Sequence, residues 1–398
     1  MKILLTEGSG ITSRQVAGRL AAMGHHVDVL TSDPLCLCRF TRHVRRLHRV
    51  PSYGHSPFAW LDAALAVYEA GAFDVLFPTQ EQVAVLAAAG VGTAVPSFAA
   101  LAAVQDKVSA FATLTRLGLP QPPAAVVTSD DDMQGWRDLP VYVKQPIGTA
   151  TTGVQKVDTA ADLAGVDVGA GVLVQRAVDG PLAMVQSVFD GGSLVASHAN
   201  LRVRLGANGG ASHKRGIDHD QIRAHLVTLG ADLGWHGALS ADVILTAEGP
   251  MFIDLNPRLV EPVNAWRSGV DLVGALLEVA CGRTPAPQPP GPPGQRTHQT
   301  VLAVLGAAQA GRGRRGIAGE LIAAARHTGD YGGSVEEMTP WRGDRRAAVP
   351  LLVAAAATLV HPAWWQWFVS GSVAAYALTP AAWAEIHANL HSIRDRSC

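Results

Sequence analysis

The residues best equipped for chemistry lie together in Gly237 to Pro262, GALSADVILTAEGPMFIDLNPRLVEP. Two apolar runs, Leu239 to Leu245 and Met251 to Leu255, flank Ala247-Glu248-Gly249-Pro250, which is turn material, so the stretch reads as a β-hairpin. A register centred on Glu248 sets Asp242 opposite Asp254, each six residues from the centre. Side chains alternate along a strand, which puts Asn256 on the face of Asp254. Directly opposed residues have Cβ atoms about 4.5–5.5 Å apart, and two carboxylates that close repel unless a cation lies between them. Two carboxylates and an amide suit Mg²⁺, which takes a few carboxylates and completes its shell with phosphate oxygens. Arg258 follows, with a planar fork fitted to phosphate or carboxylate. Two solvated strand residues would look the same in isolation, so the rest of the chain has to decide.

The 398 residues are enough for two or three domains with proper cores. Charged residues make up 16% and the formal net charge is −1, which removes the basic excess expected of a nucleic-acid binder. Cys36, Cys38, Cys281 and Cys398 are scattered without metal-site spacing, and Cys36 and Cys38 are too close for an ordinary bridge. A reducing, cytoplasmic setting fits, and the apolar run of MKILLTEGSG is too short for a signal peptide.

Lys2 to Leu5, a Gly-containing turn, a helical pattern over Ser13 to Met23 and a strand over His26 to Leu30 open the chain in a Rossmann-like manner. The turn Gly8-Ser9-Gly10 lacks a third glycine, and no acid stands at the right place after the second strand. A tight structural turn is therefore the better reading than a phosphate loop. Phe73 to Phe77 and Gly92 to Val95 read as further strands of a small parallel sheet. A helix opens at Gln105-Asp106-Lys107 and stops at Gly118-Leu119-Pro120. Val141 to Val143 forms a strand that delivers Lys144 to the loop Gln145 to Gly153, whose small residues let backbone N–H groups approach phosphates. Val172 to Gln175 is another strand, and Leu182 to Asp190 with Leu194 to His198 makes a hairpin. Asn200 to Gly216, with Arg202, Arg204, His213, Lys214 and Arg215, reads as a mobile segment carrying a substrate-facing basic strip.

Taken in order, QDKVSAFATLTRLGLPQP, VYVKQPIGTATTGV, VLVQRAVDG and GALSADVILTAEGPMFIDLNPRL resemble the ATP-grasp superfamily over residues 1 to 284. The resemblance implies α/β and α+β architecture: a Rossmann-like lead domain (1–100), then a two-subdomain ATP-grasp body (101–284). A Pro-rich linker (285–297) and a smaller, helical and apolar C-terminal domain (298–398) follow. It implies ATP and Mg²⁺ (or Mn²⁺) as cofactors and a carbon–nitrogen ligase that activates a carboxylate as an acylphosphate and joins it to an amine. Lys107 and Lys144 match the two lysines on the α- and β-phosphates, and Gly148, Thr149 and Gly153 the loop closing over the triphosphate. Gln175, Arg176 and Val178 match the adenine hinge. Asp242, Asp254 and Asn256 match the metal ligands, and Arg258 the arginine near the γ-phosphate, with Arg202 or Arg204 steadying the oxyanion. The sequence departs from the family pattern where Asp254 replaces the usual Glu and Gln175 the usual hinge acid. The loop also has fewer glycines than most.

A second likeness, of Asn256-Pro-Arg-Leu-Val-Glu261 to biotin carboxylase, implies bicarbonate activation as the alternative, with Glu261 as base; the Arg-to-Glu spacing is one residue shorter here. Glu261 reads equally as a base for an incoming amine or as a helix N-terminal acid. A nucleotide-binding regulator with a decayed site is a third reading, resting on Asp254 and Gln175. The partners expected are small carboxylate and amine substrates, with no nucleic acid.

Beyond the linker, Gln299 to Ala307 reads as a strand. Ala347 to Ala384 then runs 38 residues without Asp, Glu, Lys or Arg and includes Trp364, Trp365 and Trp367. The length would cross a membrane, but Pro350 and His361-Pro362 interrupt it and the tryptophans fall mid-run. A buried helical pair or a homodimer face is the preferred reading, and the charged tail Ser392 to Arg396 does not decide it.

Overall fold

The computed structural model describes residues 1–169, 171–339 and 343–390. Cys398 and the charged tail Ser392 to Arg396 lie outside the described residues. Short apolar runs near the N-terminus form β1 (Lys2–Leu5), β2 (His26–Thr31), β3 (Val44–Arg49) and β4 (Val75–Phe77). They make one parallel sheet in the order β3-β2-β1-β4. Gly92 to Val95 is not a strand; that place in the sheet count belongs to β3, whose sequence VRRLHR is half-exposed and so lacks a buried-strand signature.

A second, antiparallel sheet holds β5 (Ala124–Val127), β6 (Val141–Lys144), β7 (Val154–Val157) and β8 (Val172–Arg176) in the order β5-β8-β6-β7. The third sheet is the largest. It contains β9 (Leu182–Asp190), β10 (Ser193–Leu205), β11 (Ala211–Ile217), β12 (Gly237–Thr246), β13 (Gly249–Asn256), β14 (Arg296–His298) and β15 (Val335–Glu336). Their order is β13-β12-β9-β10-β11-β14-β15.

Asn200 to Gly216, expected as a mobile loop, is the end of β10, a tight turn and β11, paired from Ala199↔Ile217 to Leu205↔Ala211. Its basic residues do not share a face: Lys214 and His213 are buried, whereas Arg204 pairs with Glu320. Gln299 to Ala307 is likewise not a strand. β14 ends at His298, and Thr300–Gln309 is a helix whose Val304 and Leu305 enter the core. A run of Val, Leu and Ala fits a buried strand or a buried helix, and the length of about ten residues favours the helix.

The described residues from Ala347 onward form three α-helices, Ala348–Val360, Trp365–Ala374 and Pro380–Ala388, with breaks at His361-Pro362 and before Pro380. Among the described residues no helix is long and apolar enough to cross a membrane. Pro380–Ala388 packs against the first sheet's helices, placing Leu378, Ala382 and Ile386 in one core cluster with Leu4, Trp60 and Leu86. Cys36 and Cys38 are free buried thiols, and burial pushes the Cys36 thiol up to about 11.

Candidate active site

The hairpin of β12 and β13 sets Asp242 directly opposite Asp254. Its turn is tighter than a centre on Glu248 would make it. Thr246 pairs with Gly249 and Val243 with Phe252, so Ala247 and Glu248 alone form the loop. A β-bulge then intervenes, with Ile253 as the extra residue between Phe252 and Asp254. The bulge breaks the alternation. Phe252 stays fully buried in the core, while Ile253 and Asp254 both line the cleft, two residues that a regular strand would send to opposite faces. It also frees the Ile253 carbonyl, which accepts from Lys144 Nζ at 2.6 Å. Leu255 returns to the core and Asn256 to the cleft.

Around this hairpin lies a cleft of about 540 Å³ lined by strands of the second and third sheets and, from the first sheet's side, by Ile11, Thr12, Leu37 and Gln80 from the helix and loops beside it. Lys144, at the end of β6, is buried and also donates to Gln175 Oε1 at 2.7 Å. Burial pulls its pKa down to about 8, against the attraction of Asp254 and with the repulsion of Lys107. Lys107 Nζ lies 3.4 Å from Asp254 Oδ1 and reaches the Gly148 carbonyl at 3.4 Å. The Asp106 side chain accepts from the N–H groups of Val108 and Ser109, so it caps the helix Lys107–Arg116 at the point where Lys107 emerges. Gly148, Ala150 and Thr151 line the cleft. Thr149 is instead buried, and Gly153 closes the base of the loop through its carbonyl to the Gln145 N–H at 2.7 Å. Arg176 and Val178 line the same end of the cleft.

Asp242 has no hydrogen-bond or ion-pair partner among the described residues. Burial first, and then repulsion from Asp254, raises its pKa to about 6, although Arg202, Lys144 and Arg258 act in the opposite sense. Arg202 borders the cleft and donates to the Gly209 carbonyl at 2.9 Å, while Arg204 is committed to Glu320 and Asp330. Arg258 is fixed by Glu81, Nε to Oε1 at 2.9 Å, and its fork reaches Asn256 Oδ1 at 3.3 Å.

Glu261 has a left-handed backbone, φ 56°, and its N–H donates to Thr12 Oγ1 at 3.1 Å. It does not act as a helix N-terminal acid. Its carboxylate accepts from Lys214 and from Gln299 Nε2, the latter at 2.5 Å. Lys214 also donates to Glu337 Oε2 at 2.7 Å. Burial alone would lower the Lys214 pKa, but the two carboxylates outweigh it and raise it.

Glu81, Glu337 and Gln299 were not legible as site residues, and Lys214 was read as part of a substrate-facing basic strip rather than as the buried partner of Glu261. Glu81 follows β4 at the carboxyl end of a parallel strand, where open sheets bind ligands, and that is the signal that could have found it. Glu337 sits in Ser334-Val335-Glu336-Glu337-Met338, which carries no such signal. The turn after β1 has its own occupant. The buried Glu7 carboxylate accepts from the N–H groups of Ser9 and Gly10, the latter at 2.9 Å, so the turn is closed on itself rather than open to a phosphate.

No protein-family model matches the chain, and no curated protein does. Solved structures do. Biotin carboxylase from Campylobacter jejuni, in a β-γ-ATP complex, aligns over 71% of each chain with a TM-score of 0.56 and 19% identity. An ADP complex of N5-carboxyaminoimidazole ribonucleotide synthetase covers 79% of this chain and 85% of its own, with TM-score 0.59 and 15% identity. L-amino acid ligase from Bacillus licheniformis covers 71% and 75%, with TM-score 0.56 and 16% identity. All three are ATP-grasp proteins, and this chain has the ATP-grasp fold.

Proposed function

We propose that the chain is an ATP- and Mg²⁺-dependent ligase that activates a carboxylate as an acylphosphate and joins it to an amine. One observation carries the reading: the Asp242 carboxylate, without a partner among the described residues, faces Asp254 in a cleft that also holds Lys107, Lys144 and Arg258. Two opposed acids with an amide nearby fit Mg²⁺, and fewer ligands than a closed site leave room for phosphate oxygens. Asp242, Asp254 and Asn256 would hold the ion, which when bound neutralises charge on the triphosphate. Mn²⁺ would serve the same set of oxygen ligands.

Lys144, pinned between Gln175 and the bulge carbonyl, and Lys107, beside Gly148, would hold the α- and β-phosphates by charge. The loop of Gly148 to Gly153 would cover the triphosphate, and Gln175, Arg176 and Val178 would edge the base. A substrate carboxylate oxygen attacks the γ-phosphorus and the bond to ADP breaks; the amine nitrogen then attacks the acyl carbon and expels phosphate, and the proton it gives up leaves with the phosphate or to solvent. Arg258, oriented by Glu81, and Arg202 stabilise the oxyanion.

The bicarbonate reading keeps one point in its favour: Glu261 lines the cleft with its carboxylate held by Lys214. In both readings the solved neighbours support ATP-dependent chemistry on small molecules.

ADP release from ATP and Mg²⁺ across a panel of acids and amines tests the ligase, with Lys144→Ala and Asp254→Ala as controls. An acid–amine pair that drives ADP formation in the wild type and in neither variant supports it. Bicarbonate alone driving ADP release would transfer the assignment to the second reading. ATP binding without turnover of any pair would overturn both and leave a nucleotide-binding regulator.

A further inference from the structure

Beyond Arg258 the cleft changes character. Its walls there come from the helices Thr300–Gln309, Ala348–Val360 and Trp365–Ala374. Val301, Leu302 and Leu305 face it from the first, with Leu305 four and three residues after the other two, as a helix face requires. Phe368, Val369, Ser372 and Val373 face it from the third, and Tyr376 closes the row just past the helix end. Ile11 and Leu37 complete the wall from the first sheet's side. The third helix is latched there, since Ser372 Oγ donates to the Ser9 carbonyl at 2.8 Å.

Ala347 to Ala384 contains no Asp, Glu, Lys or Arg, so these helices bring no charge to the chamber. Charge instead collects at its mouth, on Arg258, Asp254 and Glu261. A polar or ionised substrate body placed between these helices would lose its hydration and find in return only the Ser372 and Tyr376 hydroxyls on those walls. A hydrocarbon body gains about 0.8 kcal/mol for each methylene buried.

We propose that this chamber is the specificity pocket for the activated acid, and that the acid carries an aliphatic or aromatic body with its carboxylate at Arg258. The inference rests on the ligase reading for the word acid; the pocket itself does not.

Two measurements separate them. The first is fluorescence titration with dansylated undecanoic acid in the absence of ATP, displaced by acetate, butyrate, hexanoate, octanoate, succinate and aspartate. The second is ADP release with the same acids and a panel of amines. Affinity is expected to rise about tenfold for every two methylenes until the chamber fills, with succinate and aspartate failing to displace the probe. Val373→Asp should weaken probe binding at least tenfold while ATP affinity, measured separately as the check on folding, is retained. Val369→Trp, which fills the chamber without adding charge, should reject octanoate more strongly than butyrate.

If succinate or aspartate displaces the probe as well as hexanoate does, or if both variants bind it like the wild type, the pocket assignment falls. ADP release driven by small polar acids alone would also end it while leaving the ligase intact. Chain-length-dependent probe binding with no turnover of any pair would leave the chamber standing and remove the ligase.

Discussion

Asp242 is a carboxylate opposed by a carboxylate, and its pKa near 6 has a consequence for function and another for stability. A proton and a divalent cation compete for the same oxygens. The affinity for magnesium nucleotide should therefore fall as the pH drops through about 6, approaching tenfold per unit below it, which isothermal titration at stepped pH would show. An affinity flat from pH 7 to 5 would count against Asp242 as a ligand. For stability the sign is opposite. The folded pKa lies above the ordinary carboxylate value of 3.8, so the folded state binds the extra proton between those values, and the ligand-free protein gains stability as the pH falls through 6. At pH 7.5 the charged form is a burden, and Asp242→Asn should raise stability by about 1–2 kcal/mol, a figure reduced because the group borders solvent in the cleft. The same variant should lose magnesium-dependent ATP binding. A thermal melt and an ATP titration on one preparation test both, and a lower Tm at pH 7.5 would refute the first. Glu81→Gln makes the converse case. It leaves the buried Arg258 without its ion partner, so it should lower stability by about 2–4 kcal/mol and reduce kcat more than it changes the KM for ATP. Unchanged kcat would show that Arg258 needs no such orientation.

At the scale of elements, β11 and β14 are joined by rings as well as by backbone. His213 stacks on His298 with centroids 5.6 Å apart, and Tyr331 meets it edge-on at 4.6 Å. His213 Nε2 is buried without a partner, and burial, then the Arg204 charge, pushes its pKa down to about 4. The folded pKa lies below the unfolded 6.5, so the unfolded chain binds the proton first. Stability present above pH 6.5 is lost between 6.5 and 4, on the order of 2 kcal/mol for this ring. Melts of wild type and His213→Gln over that window should show the shallower pH slope in the variant, and equal slopes would assign the loss elsewhere. This ring stack was invisible in the sequence because it depends on β14 being carried beside β11 from a distant segment. The hairpin at residues 237–256 was legible because turn residues and carboxylate spacing are local, and the Asp242–Asp254 pairing is as expected. The bulge that produces that pairing was not. Its signal is a single apolar residue, Ile253, in a run that already looked like a strand. The basic strip failed for a similar reason: Lys214 and Arg204 meet Glu261, Glu337 and Glu320, and their neutralisation is tertiary.

For the molecule as a whole, the residues after the Pro-rich stretch complete cores and charge pairs begun near the N-terminus. Asp344 pairs with Arg14 at 3.2 Å, both buried, and Glu337 takes Lys214 at 2.7 Å and Gln15 Nε2 at 3.0 Å. Helix Pro380–Ala388 sends Ala382 and Ile386 into the cluster around Trp60, and Thr379 Oγ1 donates to the Gly54 carbonyl at 2.8 Å. A chain cut after Gly294 loses the whole set while keeping the hairpin, both lysines and Arg258. Arg14 is then buried without its acid, and Lys214 keeps Glu261 alone. Stranding one partner of a buried pair costs about 3–5 kcal/mol, and for Arg14 alone that is a large share of the stability of a typical protein, about 5–15 kcal/mol. The apolar surface uncovered by losing the core helices adds to the same side. The 1–294 fragment is therefore expected to be unfolded or aggregated at 25 °C. Adding ATP and Mg²⁺ at a hundred times the dissociation constant would return about 2.7 kcal/mol, too little to rescue it. Circular dichroism melts and size-exclusion profiles of the fragment beside the full chain decide the matter. A cooperative melt from a monomeric fragment that still binds ATP would show that residues 295–398 are an accessory to a self-sufficient body, and that the acid chamber was added to a site already able to fold.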